Sequence, residues 1–195
     1  MWVNIIMIIV SYILGCINTG YYYVLLLYKK DIRTEGTNVT GAYNVSKIAG
    51  KKGFLITFLG DAFKGALAVL LCRIFRLNET TIFICILMVL LGHIFPIQLK
   101  FKGGKGLSTA FGAFLAFYPL LILYWLVTSL VLLPFVRRYT VTCLFALALL
   151  PLELFISNYS WRWIGFFLGY ALVILFACRS NLKEYVRDRA YQGHR

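Results

Sequence analysis

Charge is scarce in this 195-residue chain: only 14% of its residues are Asp, Glu, Lys or Arg. Soluble domains carry roughly a quarter, so the shortage argues against a water-exposed globular protein. Segments of about ten residues with alternating hydrophobicity are also missing, which excludes a membrane β-barrel. The five cysteines, Cys16, Cys72, Cys85, Cys143 and Cys178, form no C-x-x-C pair. Neither a disulfide framework nor a zinc site is supported, and they read as small buried hydrophobes. No basic n-region precedes the first apolar run, which therefore does not read as a cleavable signal.

What is present is apolar. Hydrophobic residues make up 61% of the chain, and the mean hydropathy is +0.81. Backbone groups in hydrocarbon must be hydrogen-bonded within the protein, so the long apolar runs predict membrane-spanning helices. They cover about Val3–Tyr28, Gly53–Phe75, Thr80–Ile97, Leu107–Phe135, Thr140–Ser157 and Arg162–Cys178, with a polar basic tail from Arg179. The net charge of +13 lies in the short connections, which suits anionic headgroups and phosphorylated substrates better than nucleic acid.

The Leu107–Phe135 run decides the topology. As one helix it would be about 43 Å long at about 1.5 Å per residue, too long for a ~30 Å core without strong tilt. A break near Tyr118–Pro119 places sixteen of the twenty Lys and Arg residues inside, against ten inside and nine outside without it. The excess of basic residues on the cytoplasmic side favours the break. The expectation is one domain over residues 1–195: an all-α integral membrane protein of about seven transmembrane helices. Its N-terminus is outside and its C-terminus cytoplasmic, with short or half helices next to the Gly/Lys loops.

Two basic cytoplasmic segments carry the candidate chemistry. Gly36–Lys47, with Thr37, Gly41, Asn44 and Lys47, can turn tightly and offer backbone N–H groups to an anion. Phe101–Gly106, with Lys102, Gly103, Gly104 and Lys105, leads straight into an apolar helix whose N-terminus favours anions. The G-x-x-x-x-G-K-[ST] spacing of a Walker loop is absent, and a flexible basic linker touching headgroups remains the alternative. Asp61 and Lys64 share a helix face within the bilayer and must be paired or face a polar cavity. His93, just before the lysines, reads as a general base, a phosphate ligand or a structural histidine.

Those residues carry a resemblance. Gly92-His93-Ile94-Phe95-Pro96 followed by Phe101-Lys102-Gly103-Gly104-Lys105-Gly106, together with Asp61-Ala62-Phe63-Lys64-Gly65-Ala66, Asp31-Ile32-Arg33, Gly50-Lys51-Lys52, Arg138-Tyr139, and Arg179 with Asn181, resembles the bacterial acyl-phosphate:glycerol-3-phosphate acyltransferases, the PlsY family. The similarity runs from about Tyr12 to Asn181. It implies a multi-pass protein of the bacterial inner membrane whose active site faces the cytoplasm. It also implies transfer of a fatty acyl group from acyl phosphate to the 1-hydroxyl of sn-glycerol 3-phosphate, giving lysophosphatidic acid and phosphate. The partners are those two substrates and membrane lipids, with no metal or cofactor. Carried over residue by residue, the catalytic set is His93, Lys105, Thr37 and Asn181. The binding set is Gly36, Gly41, Asn44, Lys47, Lys102, Gly103, Gly104, Asp61, Lys64 and Arg179.

The chain departs from the family pattern at several points. The family's G-S-G-N-x-G-A-T-N reads Gly36-Thr37-Asn38-Val39-Thr40-Gly41-Ala42-Tyr43-Asn44 here, and the following arginine is Lys47. The first-span G-S-I-P reads Gly15-Cys16-Ile17-Asn18. The serine of R-Y-V-S-L aligns with Val141, and H-R-E-N reads Cys178-Arg179-Ser180-Asn181. This pattern fits a divergent paralogue with changed donor, changed acceptor or reduced activity. Other lipid-enzyme signatures are missing: neither H-x4-D after His93 nor D-G-x2-A-R occurs. The alternatives are a non-catalytic lipid-binding or transport protein, though no convincing inverted repeat favours transport, and an inactive paralogue of the acyltransferase that binds phosphate ligands.

Overall fold

The structure, a computed structural model, describes residues 2–193, with side chains to Asp188. Its elements are α1 (Trp2–Cys16), α2 (Thr19–Tyr28), a 3-10 turn Ile32–Thr34, α3 (Ala42–Ile74), α4 (Glu79–Ile94), a 3-10 turn Ile97–Leu99, α5 (Leu107–Phe117), α6 (Pro119–Val136), α7 (Tyr139–Ile156), α8 (Trp161–Ala177) and α9 (Arg179–Gly193). No strand occurs among the described residues. The protein is therefore an all-helical, multi-pass membrane protein. Five segments are long and apolar enough to cross a bilayer, or six if α8 and α9, bent by 66°, count as one. α6 exposes Leu123, Leu126, Val127, Leu130 and Val131, a face suited to lipid rather than water.

The chain divides into two compact units, Met1–Pro119 and Leu120–Arg195. In the first, helices cross at very close range. A Cβ on Gly112 of α5 would lie 1.8 Å from the Ala62 carbonyl oxygen of α3, and one on Gly65 would lie 2.2 Å from that of Thr109. A Cβ on Gly92 of α4 would lie 2.2 Å from the Tyr12 carbonyl oxygen of α1. Lipid tails are as apolar as leucine, so membrane helices associate through such close backbone packing rather than through hydrophobic burial. α5 has only 11 residues, about 16 Å at ~1.5 Å per residue, roughly half a hydrocarbon core. The expected break falls at Tyr118, where α5 ends and α6 begins with proline.

The structure changes two expectations and adds a helix. The run Val3–Tyr28 is interrupted at Ile17–Asn18 between α1 and α2. The polar stretch ending at Lys52 is not a loop throughout, because α3 starts at Ala42 and continues through a kink at Gly50 (φ 60°, ψ −157°), a conformation essentially confined to glycine. The basic tail forms helix α9.

In the second unit, α7 and α8 pack around Leu144, Leu147, Leu154, Phe167, Tyr170 and Ile174, all nearly fully buried. The Trp125 indole N–H of α6 donates to the Cys143 carbonyl of α7 at 2.9 Å. Arg138 pairs with Asp188 and, at 3.7 Å, with Glu184, which ties the start of α7 to α9.

Candidate active site

The break between α1 and α2 leaves carbonyls and an N–H without helical partners inside the first unit. Three side chains from beyond the break satisfy them. The Lys64 ammonium donates to the Gly15 carbonyl at 3.0 Å and the Ile17 carbonyl at 2.7 Å. The Gln98 amide donates to the Cys16 carbonyl. At the other side of the break, the Thr19 N–H donates to Asp61 Oδ1 at 3.3 Å. The cation thus sits at the C-terminal, negative end of α1 and the carboxylate at the N-terminal, positive end of α2, each where the helix dipole favours it.

His93 joins this cluster. Its Nδ1 lies 2.9 Å from Lys64 Nζ and 3.7 Å from Asp61 Oδ1, while Lys64 Nζ and Asp61 Oδ1 are 3.0 Å apart. Asp61, Lys64 and His93 are 1%, 4% and 2% exposed, deep enough that none of the three is solvated. Lys64 therefore has four acceptors within 3.0 Å for three N–H groups, which leaves no donor for a ligand. With an ammonium beside it, Nδ1 acts as acceptor and the ring proton resides on Nε2.

Nε2 faces the lysine loop. A Cβ on Gly104 would lie 2.1 Å from it. The loop is zipped onto the end of α4: the Gly104 N–H donates to the His93 carbonyl at 3.0 Å and the Gly103 N–H to the Ile94 carbonyl at 3.1 Å. The Tyr12 hydroxyl donates to the Phe95 carbonyl at 2.8 Å. These amides cap α4 and do not point at an anion, so the two glycines serve close packing on His93. Gly106 (φ 85°) then turns the chain into α5, whose N-terminus, with half-buried Lys105 and exposed Lys102, is the anion-favouring part of the loop.

The glycine loop is organised by Asn44. Its amide nitrogen donates to the carbonyls of Ile32 (3.0 Å), Glu35 (2.9 Å) and Val39 (2.9 Å), and its oxygen accepts the Thr37 N–H at 2.7 Å. Asn44 therefore holds the loop rather than a ligand, and the Thr37 N–H is occupied, the residue itself being half-buried. Asn38, where the family pattern has glycine, adopts φ 57°. Asparagine is among the few L-residues that enter this region readily. Gly36 also has φ 57°, and a Cβ there would strike Asn44 Oδ1. Gly41 caps α3, and exposed Lys47 lies 5.3 Å from the exposed Tyr43 ring.

Arg33 links the segments that lead into the two loops. It makes paired hydrogen bonds to Asp31, 3.0 Å from Nε to Oδ1 and 2.6 Å from Nη2 to Oδ2, and its Nη1 donates to the Leu99 carbonyl at 2.8 Å. The hydrogen bonds from Arg33 hold the Asp31 carboxyl below its usual range. A second link is made by the Thr40 N–H to the Gly103 carbonyl at 3.4 Å. The first unit thus brings His93, Lys105 and both loops together. Arg179 and Asn181 belong to the second unit, at the start of α9, where Arg179 donates to the Phe176 carbonyl at 3.1 Å. Among the described residues, no group of His, Cys, Asp or Glu could hold a metal ion. Thr40 and Gln98 escaped the sequence reading; neither stands out by type or spacing, and only the fold gives them partners.

The sequence profile of the glycerol-3-phosphate acyltransferases matches residues 5–188. This chain belongs to that family. A glycerol-3-phosphate acyltransferase 1 of Desulfitobacterium hafniense (strain Y51) is 38% identical over 182 residues, 93% of this chain and 90% of that protein. A glycerol-3-phosphate acyltransferase of Ruthia magnifica subsp. Calyptogena magnifica is 31% identical over 185 residues, 95% of this chain and 94% of that protein. The crystal structure of PlsY, an integral membrane glycerol 3-phosphate acyltransferase, in its glycerol 3-phosphate form superposes with a TM-score of 0.85 at 27% identity, covering 95% of this chain and 93% of that one. Its lysophosphatidic acid form gives 0.83 at 26% identity, with the same coverage. This acyltransferase accordingly acylates glycerol 3-phosphate in phospholipid synthesis.

Proposed function

We propose that the acyl donor is an acyl phosphate and that the reaction takes place at the cytoplasmic face. The 1-hydroxyl oxygen of glycerol 3-phosphate attacks the acyl carbonyl carbon. The carbon–oxygen bond to phosphate breaks, and the hydroxyl proton leaves on the departing phosphate. The products are 1-acyl-glycerol 3-phosphate, which is lysophosphatidic acid, and inorganic phosphate. The observation that carries this reading is the pairing of two loops, one rich in glycine and one in lysine, at the start of α5. Two phosphate-bearing substrates call for two such anion-handling walls.

In this reading Lys105, Lys102 and the α5 N-terminus neutralise phosphate charge, and charge building on the leaving group is where such groups accelerate most. His93 acts as an Nε2–H donor held in one tautomer by Lys64, rather than as the base. Removal of the hydroxyl proton then falls to the donor's own phosphate. Thr37 supplies a hydroxyl, and Lys47, Arg179 and Asn181 supply further polar contacts to substrate. Gly36, Gly41, Gly103, Gly104, Asn44, Asp61 and Lys64 shape and support the site. The whole chain works as one catalytic domain, which the profile match across residues 5–188 supports.

In purified protein reconstituted into nanodiscs, palmitoyl phosphate and glycerol 3-phosphate should give lysophosphatidic acid and phosphate in equal amounts. Lys105→Ala should lower turnover by about a hundredfold or more, the usual loss of one such charge-stabilising group. Product from another acyl donor, with none from acyl phosphate, would overturn the donor assignment.

The membrane arrangement follows from the same charge asymmetry. We propose seven membrane segments, the broken α1–α2 pair, α3, α4, the short α5, α6, α7 and α8, with the N-terminus outside and the C-terminus cytoplasmic in the bacterial inner membrane. A phosphatase or fluorescent reporter fused after Arg195 should report a cytoplasmic end. A periplasmic signal would exclude the arrangement.

A further inference from the structure

Asn18 and Thr40 lie 22 positions apart and are both fully buried. The Thr40 hydroxyl donates to Asn18 Oδ1 at 2.6 Å, and the Asn18 amide donates to the Cys16 carbonyl at 3.2 Å. One side chain thus closes the break between α1 and α2 and also grips the glycine loop. Thr40 is held from two further directions. Its N–H reaches the Gly103 carbonyl of the lysine loop at 3.4 Å. Its carbonyl oxygen packs against the first turn of α2, where a Cβ on Gly20 would lie 2.2 Å away. The helix break, the glycine loop and the lysine loop therefore meet at this one residue.

One partner departs from the family pattern, and the other stands where that pattern specifies no residue. Where the resemblance places proline, position 18 here is Asn, and position 40 is the unspecified place in the family's glycine-loop pattern. Proline offers no side-chain hydrogen bond. The same loop carries Asn38, Val39 and Tyr43 in place of the family's glycine, asparagine and threonine.

We propose that the Asn18–Thr40 hydrogen bond is a latch that sets the spacing of the two phosphate-handling loops, and that Asn18 and Thr40 are positioning residues for glycerol 3-phosphate. The latch compensates for the altered glycine loop by fixing it to the lysine loop and to the helix break. The inference rests on the two loops being the phosphate-handling walls, but not on the identity of the acyl donor. Thr40→Val keeps the shape and removes the hydroxyl, so Asn18 Oδ1 is left buried and unmet, a loss worth about tenfold in an equilibrium constant.

The test is equilibrium binding of glycerol 3-phosphate to the full-length protein in detergent, which needs no donor. Thr40→Val should weaken binding about tenfold and Asn18→Ala at least as much, since it also removes the bond to the Cys16 carbonyl, and the double variant should be no weaker than Asn18→Ala alone, because both remove the Asn18–Thr40 contact. Thr40→Ser should restore affinity to within about twofold of the parent, because the hydroxyl returns. Thermal melting of each variant separates loss of fold from loss of affinity. Unchanged affinity in Thr40→Val and Asn18→Ala overturns the latch, as does full additivity in the double variant. A failure of Thr40→Ser to recover, with melting unchanged, overturns it too. Acylation with palmitoyl phosphate, run alongside, reports the donor assignment separately.

Discussion

Gly104→Ala should abolish glycerol 3-phosphate acylation, lowering turnover by about a hundredfold or more, while the protein still purifies as a folded helical species. The new Cβ would lie 2.1 Å from His93 Nε2 and 2.8 Å from Cε1. The ring cannot swing away, because its Nδ1 is held at 2.9 Å by Lys64 and the residue is 2% exposed. The loop must move instead, giving up its Gly104 N–H bond to the His93 carbonyl and carrying Lys105 with it. Displacements near 1 Å in a catalytic site cost about a hundredfold. Gly104 does not have a positive φ, so the loss is steric and not a matter of backbone strain. Lysophosphatidic acid formation, compared with circular dichroism and thermal melting of the same preparation, checks this. Activity within threefold of the parent would mean that the contact between loop and ring does not govern the site.

Lys64→Met should destabilise the folded protein by about 3–5 kcal/mol, the usual effect of removing one member of a buried ion pair. The substitution leaves the Asp61 carboxylate, 1% exposed, without its cation. It also strips the Gly15 and Ile17 carbonyls of their donor in a region with no water to replace it. The double variant Asp61→Asn with Lys64→Met should recover part of the loss, because no uncompensated charge is then buried. Melting in detergent measures both, with yield of monodisperse protein as the companion reading. A Lys64→Met protein that melts within two or three degrees of the parent would show that the helix break stands without the ion pair.

The two expectations share one physical origin. A helix interrupted inside a membrane must find partners for its freed carbonyls and N–H groups, and here Asp61, Lys64 and Gln98 provide them. The same ammonium orients His93, and His93 seats the lysine loop. Stability of the break and geometry of the site are therefore coupled through Lys64. This coupling accounts for a costly intramembrane charge pair placed next to His93 and the lysine loop.

Much of this was legible in the residues. Long apolar runs identified a helical membrane protein, and Pro119 with the distribution of Lys and Arg located the break that makes α5 a half-length helix. The three-residue spacing of Asp61 and Lys64 and the expense of bare charge in hydrocarbon required a pair or a polar cavity, and the structure makes it a pair. Less could be read where the signal is not local. The interruption at Ile17–Asn18 lies within an apolar run that would otherwise continue as one helix, and its partners come from α3 and the segment after α4. The resemblance put Gly103 and Gly104 among the binding residues, yet their N–H groups cap α4. The start of α3 at Ala42 was hidden because polar residues around Lys47–Lys52 look like a loop until Gly50 is seen to bend a helix rather than end it.

By itself, then, the sequence determined the membrane class, the helical content, the family and the sidedness proposed for the basic loops. Hydropathy, motif order and the placement of positive charge are properties of short stretches of chain. Only the tertiary structure separated the side chains that hold the broken helix and the two loops from the rest. That division depends on which donors the broken helix and the two loops have already engaged, and those partners, such as Asn18 with Thr40 and Lys64 with His93, are brought together only by the packing of α1, α3, α4 and α5.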